Sequence, residues 1–105
     1  MDEAVLRQIA ETAAGLDRLV PKIVEGMRSA SDPGDFRRLA DLVKPAERFL
    51  IEAGPIMSRA KPEDAGLREM VERFMRELPR RHRMIRDAQG VLPPLSPDQH
   101  YARAG

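Results

Sequence analysis

The residues best suited to chemistry lie in the stretch RFMRELPRRHRMIR, residues 73–86, which carries a net charge of +5 with His82 neutral. Its only acid is Glu77, and its six arginines are Arg73, Arg76, Arg80, Arg81, Arg83 and Arg86. On a helix, four of these form one ridge, with the spacing i, i+3, i+7 and i+10: Arg73, Arg76, Arg80 and Arg83. Guanidinium groups make planar, bidentate contacts with phosphate and carboxylate. The ridge therefore predicts binding to nucleic acid or to an acidic protein surface. The alternative is that these arginines pair with acids on helices 1 and 2 or simply form a solvated face.

Two observations favour the acidic protein surface over nucleic acid. The whole chain carries 18 basic and 17 acidic residues, a net charge of +1, so it exerts no strong field on a polyanion. The nearest aromatic residue is Phe74, which falls on the apolar side of the same helix and cannot offer a stacking surface to bases. Nucleic-acid binding through the ridge is kept as the alternative.

Other chemical motifs are absent from the sequence. The two histidines, His82 and His100, are too far apart for a helix-spaced ligand pair, and no His-Glu-x-x-His string is present. There is no cysteine, no Gly-rich phosphate loop and no nucleophile elbow. We therefore predict no metal site, no cofactor and no catalytic residue. A small helical enzyme with a pocket of Arg and Glu is the least favoured interpretation.

The elements that would position the arginines are three helices with heptad spacing. Helix 1 is predicted over about residues 2–30, with Asp2 as its N-cap and a kink or a split near 16–17 caused by Pro21. Its apolar stripe has steps of three and four: Leu6, Ile9, Ala13, Leu16, Val20, Ile23, Met27 and Ala30.

Helix 2 is predicted over about residues 35–53, because Gly54-Pro55 is a strong stop signal. Its main stripe runs from Phe36 to Met57, and a second apolar row lies beside it: Leu42, Phe49 and Ile56. Two rows make a face wide enough to pack between two other helices.

Helix 3 is predicted over about residues 62–89, with Pro62 in its first turn. Its apolar stripe is interrupted once, because Arg81 occupies a position where the heptad pattern requires an apolar side chain.

These helices predict an all-α fold, a three-helix antiparallel bundle with a coiled-coil-like helical hairpin and a Pro-rich C-terminal tail. Residues 1–90 form the helical domain and 91–105 an extended or disordered tail, with a loose PxxP match at Pro94–Pro97. Six residues of the first two helices are expected to be buried between them: Leu16, Val20, Ile23, Val43, Phe49 and Leu50.

The favoured function is a non-catalytic assembly or adaptor protein that forms a homo-oligomer. A helix 1 of about 40 Å would overhang a helix 2 of about 28 Å and leave apolar residues uncovered. The predicted oligomer interface is the stripe of helix 1, namely Leu6, Ile9, Ala13, Leu16 and Met27. No apolar run approaches 18 residues and no secretion signal is visible, so we expect a cytoplasmic protein that does not cross a membrane.

Overall fold

The computed structural model describes residues 2–95, which form three α-helices without any strand. Helix α1 spans Glu3–Ser29, α2 spans Pro33–Arg59 and α3 spans Ala65–Gln89. Each helix begins after an aspartate whose carboxylate accepts a hydrogen bond from a first-turn amide: Asp2 from Ala4, Asp32 from Gly34 and Asp64 from Leu67. Such caps satisfy amides that have no partner within the helix.

The three helices form an up-down-up bundle, so the predicted all-α three-helix fold is confirmed. Short linkers at 30–32 and 60–64 make each helix antiparallel to the next. All three helix pairs are in contact. The heptad stripes supply the core, because residues three and four apart lie on one face of a helix.

The core consists of two apolar clusters stacked along the bundle. The first joins the start of α1, the end of α2 and the start of α3, and includes Leu6, Met57 and Phe74. The second joins the end of α1, the start of α2 and the end of α3, and includes Val20, Leu50 and Ile85. Half-buried Phe49 and Leu78 pack against both clusters and connect them.

Five of the six residues expected between helices 1 and 2 are buried, and the sixth, Phe49, is half-buried. The second row of α2 is only partly covered, because Leu42 is exposed and Ile56 half-buried. The bundle covers the main stripe of α2 and leaves the outer edge of this second row accessible to solvent.

Three predicted helix boundaries are wrong. Helix α1 is not split at Pro21, and α2 continues six residues beyond Ala53, through Gly54-Pro55. Helix α3 begins at Ala65 rather than at Pro62, because Asp64 provides the cap. The prolines inside the helices are tolerated because all four lie on exposed faces: Pro21, Pro45, Pro55 and Pro79.

Residues 91–95 have no regular secondary structure. The rest of the predicted tail, with His100 and most of the PxxP match, lies outside the described residues.

Candidate functional site

The arginine that interrupts the stripe of α3 is buried at the junction of the two cores. Arg81 is 5% exposed and donates two hydrogen bonds to Asp17 of α1, from Nε to Oδ1 at 3.2 Å and from Nη2 to Oδ2 at 3.1 Å. This bidentate geometry satisfies the guanidinium on the side that the core encloses. Within residues 2–95, no buried side-chain nitrogen or oxygen lacks a hydrogen-bond partner.

Asp17 also binds the neighbouring arginine. Arg80 Nη2 lies 3.0 Å from Asp17 Oδ2, and Arg80 Nε donates to Glu77. Partial burial by itself would raise the pKa of Asp17, but the hydrogen bonds and charges of Arg81 and Arg80 outweigh it and lower that pKa below its usual value. Glu77 and Asp17 raise the pKa of Arg80. These contacts form a charged cluster of Asp17, Glu77, Arg80 and Arg81, in which the two arginines keep Asp17 ionised near neutral pH.

The predicted arginine ridge is divided by these contacts. Arg81 is inside the bundle, Arg80 belongs to the Asp17 cluster, and Arg73 lies 3.6 Å from Glu69 on its own helix. Arg76, Arg83 and Arg86 are exposed and form no ion pair among residues 2–95. Three of the six arginines therefore have no ion pair within the described part of the chain, whereas Arg73 and Arg80 are paired and still have side chains that are 65% and 46% exposed.

An open groove of about 570 Å³ runs between the C-terminal halves of α1 and α3. Its apolar lining includes Val20, Val24 and Met84. Three arginines and two acids also line it: Arg28, Arg80, Arg83, Glu25 and Asp87. The groove is therefore apolar within and of mixed charge at its edges.

The five residues predicted as the oligomer interface all lie in the core of the single chain: Leu6, Ile9, Ala13, Leu16 and Met27. The predicted overhang is wrong, because α1 and α2 have 27 residues each. The longer α2 covers the stripe that a shorter helix would have left open. A surface for self-association must therefore consist of residues outside the core.

Such a surface lies on the outer side of the α1–α2 hairpin. The α1–α2 face is defined here by five residues, Gly15 and Leu19 of α1 and Leu42, Phe49 and Ile56 of α2. Leu19 is 50% exposed and Leu42 is 53% exposed, whereas Phe49 and Ile56 are half-buried. A shallow depression around Pro45 and Phe49 lies on the same side. Contiguous apolar patches mark protein-binding surfaces, so this face is the candidate for self-association.

Asp17 is the functional side chain that sequence reasoning missed. The interruption at Arg81 signalled that a buried charge needs a partner. Helix 1 carries three other acids, Glu3, Glu11 and Glu25, and the register of α1 against α3 is needed to select Asp17 as the partner.

Two further kinds of site were sought among the described residues. Residues 2–95 contain no group of His, Asp and Glu side chains arranged to hold a metal ion. No helix in this range is long and apolar enough to cross a membrane.

Comparison of the chain with protein-family models, with curated proteins and with solved structures gave no match.

Proposed function

We propose that this chain is a non-catalytic assembly protein that self-associates through the α1–α2 face and acts in the cytoplasm. The observation that carries the proposal is the exposure of Leu19 and Leu42 on adjacent helices, beside Phe49 and Ile56. Removing apolar surface from water contributes roughly 25 cal/mol per Å², so a partner that covers these side chains gains binding energy.

The polar features support a structural role for the rest of the molecule. The charged cluster connects α1 to α3 through the two hydrogen bonds from Arg81 to Asp17, and the lowered pKa of Asp17 keeps this contact ionic at neutral pH. The other prominent feature of the molecule is the α1–α2 face, and an exposed apolar face functions by binding a partner.

The mass in solution tests this proposal. We expect light scattering at tens of micromolar to give more than the 11.8 kDa of one chain. Leu42→Glu should lower the mass to that of a monomer without loss of helix content. The matched control is Ile51→Glu, because Ile51 is 56% exposed on the same helix and lies about half a turn around it from Leu42. A monomeric mass for the unaltered chain would contradict the proposal.

Nucleic-acid binding is the second candidate, supported by the exposed Arg76, Arg83 and Arg86, which have no ion pair among residues 2–95. If these side chains bind phosphates, replacing Arg83 and Arg86 with Ala should reduce the log–log salt slope of binding by about one to two units. Arg37→Ala is the matched control, since Arg37 is also exposed but lies on α2 rather than on α3. A gel shift that does not respond to salt would contradict this candidate.

A further inference from the structure

Gly15 is a glycine in the middle of α1 with no internal reason to be one. Glycine at such a position costs about 1 kcal/mol relative to alanine. A side-chain carbon built on Gly15 would meet nothing within 4 Å, whereas one on Gly26 would lie 2.9 Å from Leu39 and one on Gly54 would lie 3.4 Å from Leu78. The other two glycines are explained by packing within the chain. At Gly15 the bare backbone faces outward, where another helix could approach closely.

The two halves of the bundle carry opposite net charge. The half around the first core, residues 2–15 and 51–77, has 9 acidic and 6 basic residues and a net charge of −3. The half around the second core, residues 16–50 and 78–95, has 7 acidic and 11 basic residues and a net charge of +4. Two parallel copies side by side would place like charges together, whereas two antiparallel copies would place opposite charges together.

We propose that the partner on the α1–α2 face is a second copy of this chain, bound antiparallel about a twofold axis that crosses both helices near Gly15. This inference rests on the proposed function and specifies its geometry. The axis places α1 against α1 of the other copy and α2 against α2, which is an isologous contact.

The levels of the charges along α1 fit this axis. Glu11 lies one turn before Gly15, on the α3 side of the helix where it lines a small cavity with Met70 and Arg73, whereas Arg18 and Lys22 lie one and two turns after Gly15. Rotation about Gly15 brings Glu11 within about one turn of Arg18 and Lys22 of the other copy. Leu19 then lies at the level of Glu11 and next to the uncovered backbone of Gly15.

The charges on α2 fit the same axis. The contact of Gly26 with Leu39 sets the register of the hairpin, so the level of Gly15 corresponds to about residue 50 of α2. Rotation about that level exchanges Arg48 with Glu52, and Asp41 with Arg59. Both exchanges pair opposite charges.

The apolar residues on α2 complete the contact. Leu42 comes within about two residues, roughly 3 Å along the axis, of Ile56 of the other copy. Leu42 is exposed and Ile56 is half-buried, so both gain cover in the dimer.

The whole outer side of the hairpin, which surrounds the α1–α2 face, is large enough to hold the interface of a stable dimer. Two helices of 27 residues side by side present about 40 Å by 20 Å, or roughly 800 Å² from each copy. This is the area that a standard specific interface buries per partner, roughly 800 Å².

Single-cysteine variants test the orientation, because the natural chain contains no cysteine. Gly15→Cys should form a disulfide-linked dimer on mild oxidation, since the two copies of this position lie at the axis. Val5→Cys should not, because its two copies would lie about 30 Å apart along the helices. Ile51→Cys, on the other side of α2, is the control for random collisions. A dimer that cross-links through Val5→Cys as readily as through Gly15→Cys would overturn the antiparallel arrangement.

A charge exchange provides a second test that leaves Gly15 unchanged. Asp41→Arg should weaken the dimer by about fivefold to thirtyfold, since the twofold axis makes the pair occur twice and each exposed ion pair contributes up to about 1 kcal/mol. Adding Arg59→Asp to the same chain should restore most of the affinity. Within one chain these positions are about 27 Å apart, so a rescue can only act between copies. Absence of rescue in a chain that still dimerises overturns the antiparallel contact, whereas a wholly monomeric unaltered chain overturns the proposed function.

Discussion

At the scale of single residues, the decisive feature is a charge inside an apolar stripe. Arg81 occupies a heptad position between Phe74 and Ile85, where a leucine would pack without cost. Asp17 makes the arginine tolerable, because a buried cation needs a partner that replaces its hydration. A polar pair at such a position can also fix the register of neighbouring helices. In this chain it links α1 to α3 at one level of the bundle.

Replacing one partner of the Asp17–Arg81 pair should destabilise the fold more than replacing both. Asp17→Ala should lower the free energy of unfolding by about 2–3 kcal/mol, toward the lower end for buried pairs because the carboxylate is 31% exposed. The double variant Asp17→Ala with Arg81→Leu should recover most of that loss, since no unpaired charge remains. Urea unfolding of the unaltered chain, of Asp17→Ala and of the double variant measures the loss and the recovery of unfolding free energy. A double variant less stable than Asp17→Ala alone would show that the Asp17–Arg81 pair does more for the fold than neutralise the buried charge of Arg81.

The pH dependence of stability should report Asp17. Because its pKa is lowered in the folded state, its contribution is fully present above the usual carboxyl pKa and is lost as pH falls through the folded value. The difference in unfolding free energy between the unaltered chain and Asp17→Asn should therefore be constant from pH 7 to about 5 and shrink below about 4. Urea titrations at several pH values measure this difference. If the difference stays constant below pH 4, the cluster does not depend on the charge of Asp17.

At the scale of elements, α2 shows how packing overrides a stop signal. Gly54 has no positive φ and lies against Leu78 of α3, so it serves as a close contact rather than as a helix end. Pro55 removes one backbone hydrogen bond, to the carbonyl of Ile51 on the exposed side, where water can replace it. Burial of Met57 one turn further on stabilises the extra helical residues.

The extension of α2 can be tested at Met57, which is 1% exposed. Met57→Ala should lower the free energy of unfolding by about 2–4 kcal/mol, because it removes a fully buried side chain and leaves a cavity. Ile51→Ala, at an exposed position of the same helix, should change it by less than about 0.5 kcal/mol. Thermal or urea unfolding compares the two. Equal small effects would mean that α2 does not continue beyond Gly54-Pro55.

At the scale of the whole molecule, the two apolar cores are separated by the charged cluster of Asp17, Glu77, Arg80 and Arg81 yet remain one folding unit. Phe49 and Leu78 contact both cores, and each helix runs through both without a break. A domain of this size with continuous helices is expected to unfold in a single cooperative step.

Cooperativity can be measured with one variant in each core. Leu67→Ala in the first core and Val43→Ala in the second should lower protection from hydrogen exchange in both halves of the bundle, in proportion to the total loss of stability. Native-state exchange followed by mass spectrometry resolves the halves. If each variant lowers protection from exchange only in its own half, the charged cluster separates two units that unfold independently.

The sequence by itself determined the fold class and most of the core. Heptad spacing places Leu16, Val20, Ile23 and Leu50 on inward faces in any packing of such helices, because periodicity is a property of each helix alone. It also identified Arg81 as an anomaly, since one charge in an apolar stripe is visible without knowledge of its surroundings. The predicted linkers, 31–34 and 54–61, are also short enough to favour antiparallel neighbours.

The tertiary structure alone decided three matters. The end of α2 depends on what covers Met57, and local residues such as Gly54-Pro55 contain no information about that cover. The partner of Arg81 depends on the level at which α1 and α3 pack, which selects Asp17 from several acids. The availability of an apolar residue to a partner depends on how α2 and α3 pack on α1. Together they enclose Leu6 and Ile9, which were predicted to form an oligomer interface, and they leave Leu19 and Leu42 exposed. The physical reason is the same in each case. Whether a side chain is buried or ion-paired depends on helices that are distant in the sequence, whereas heptad spacing is a property of a single helix.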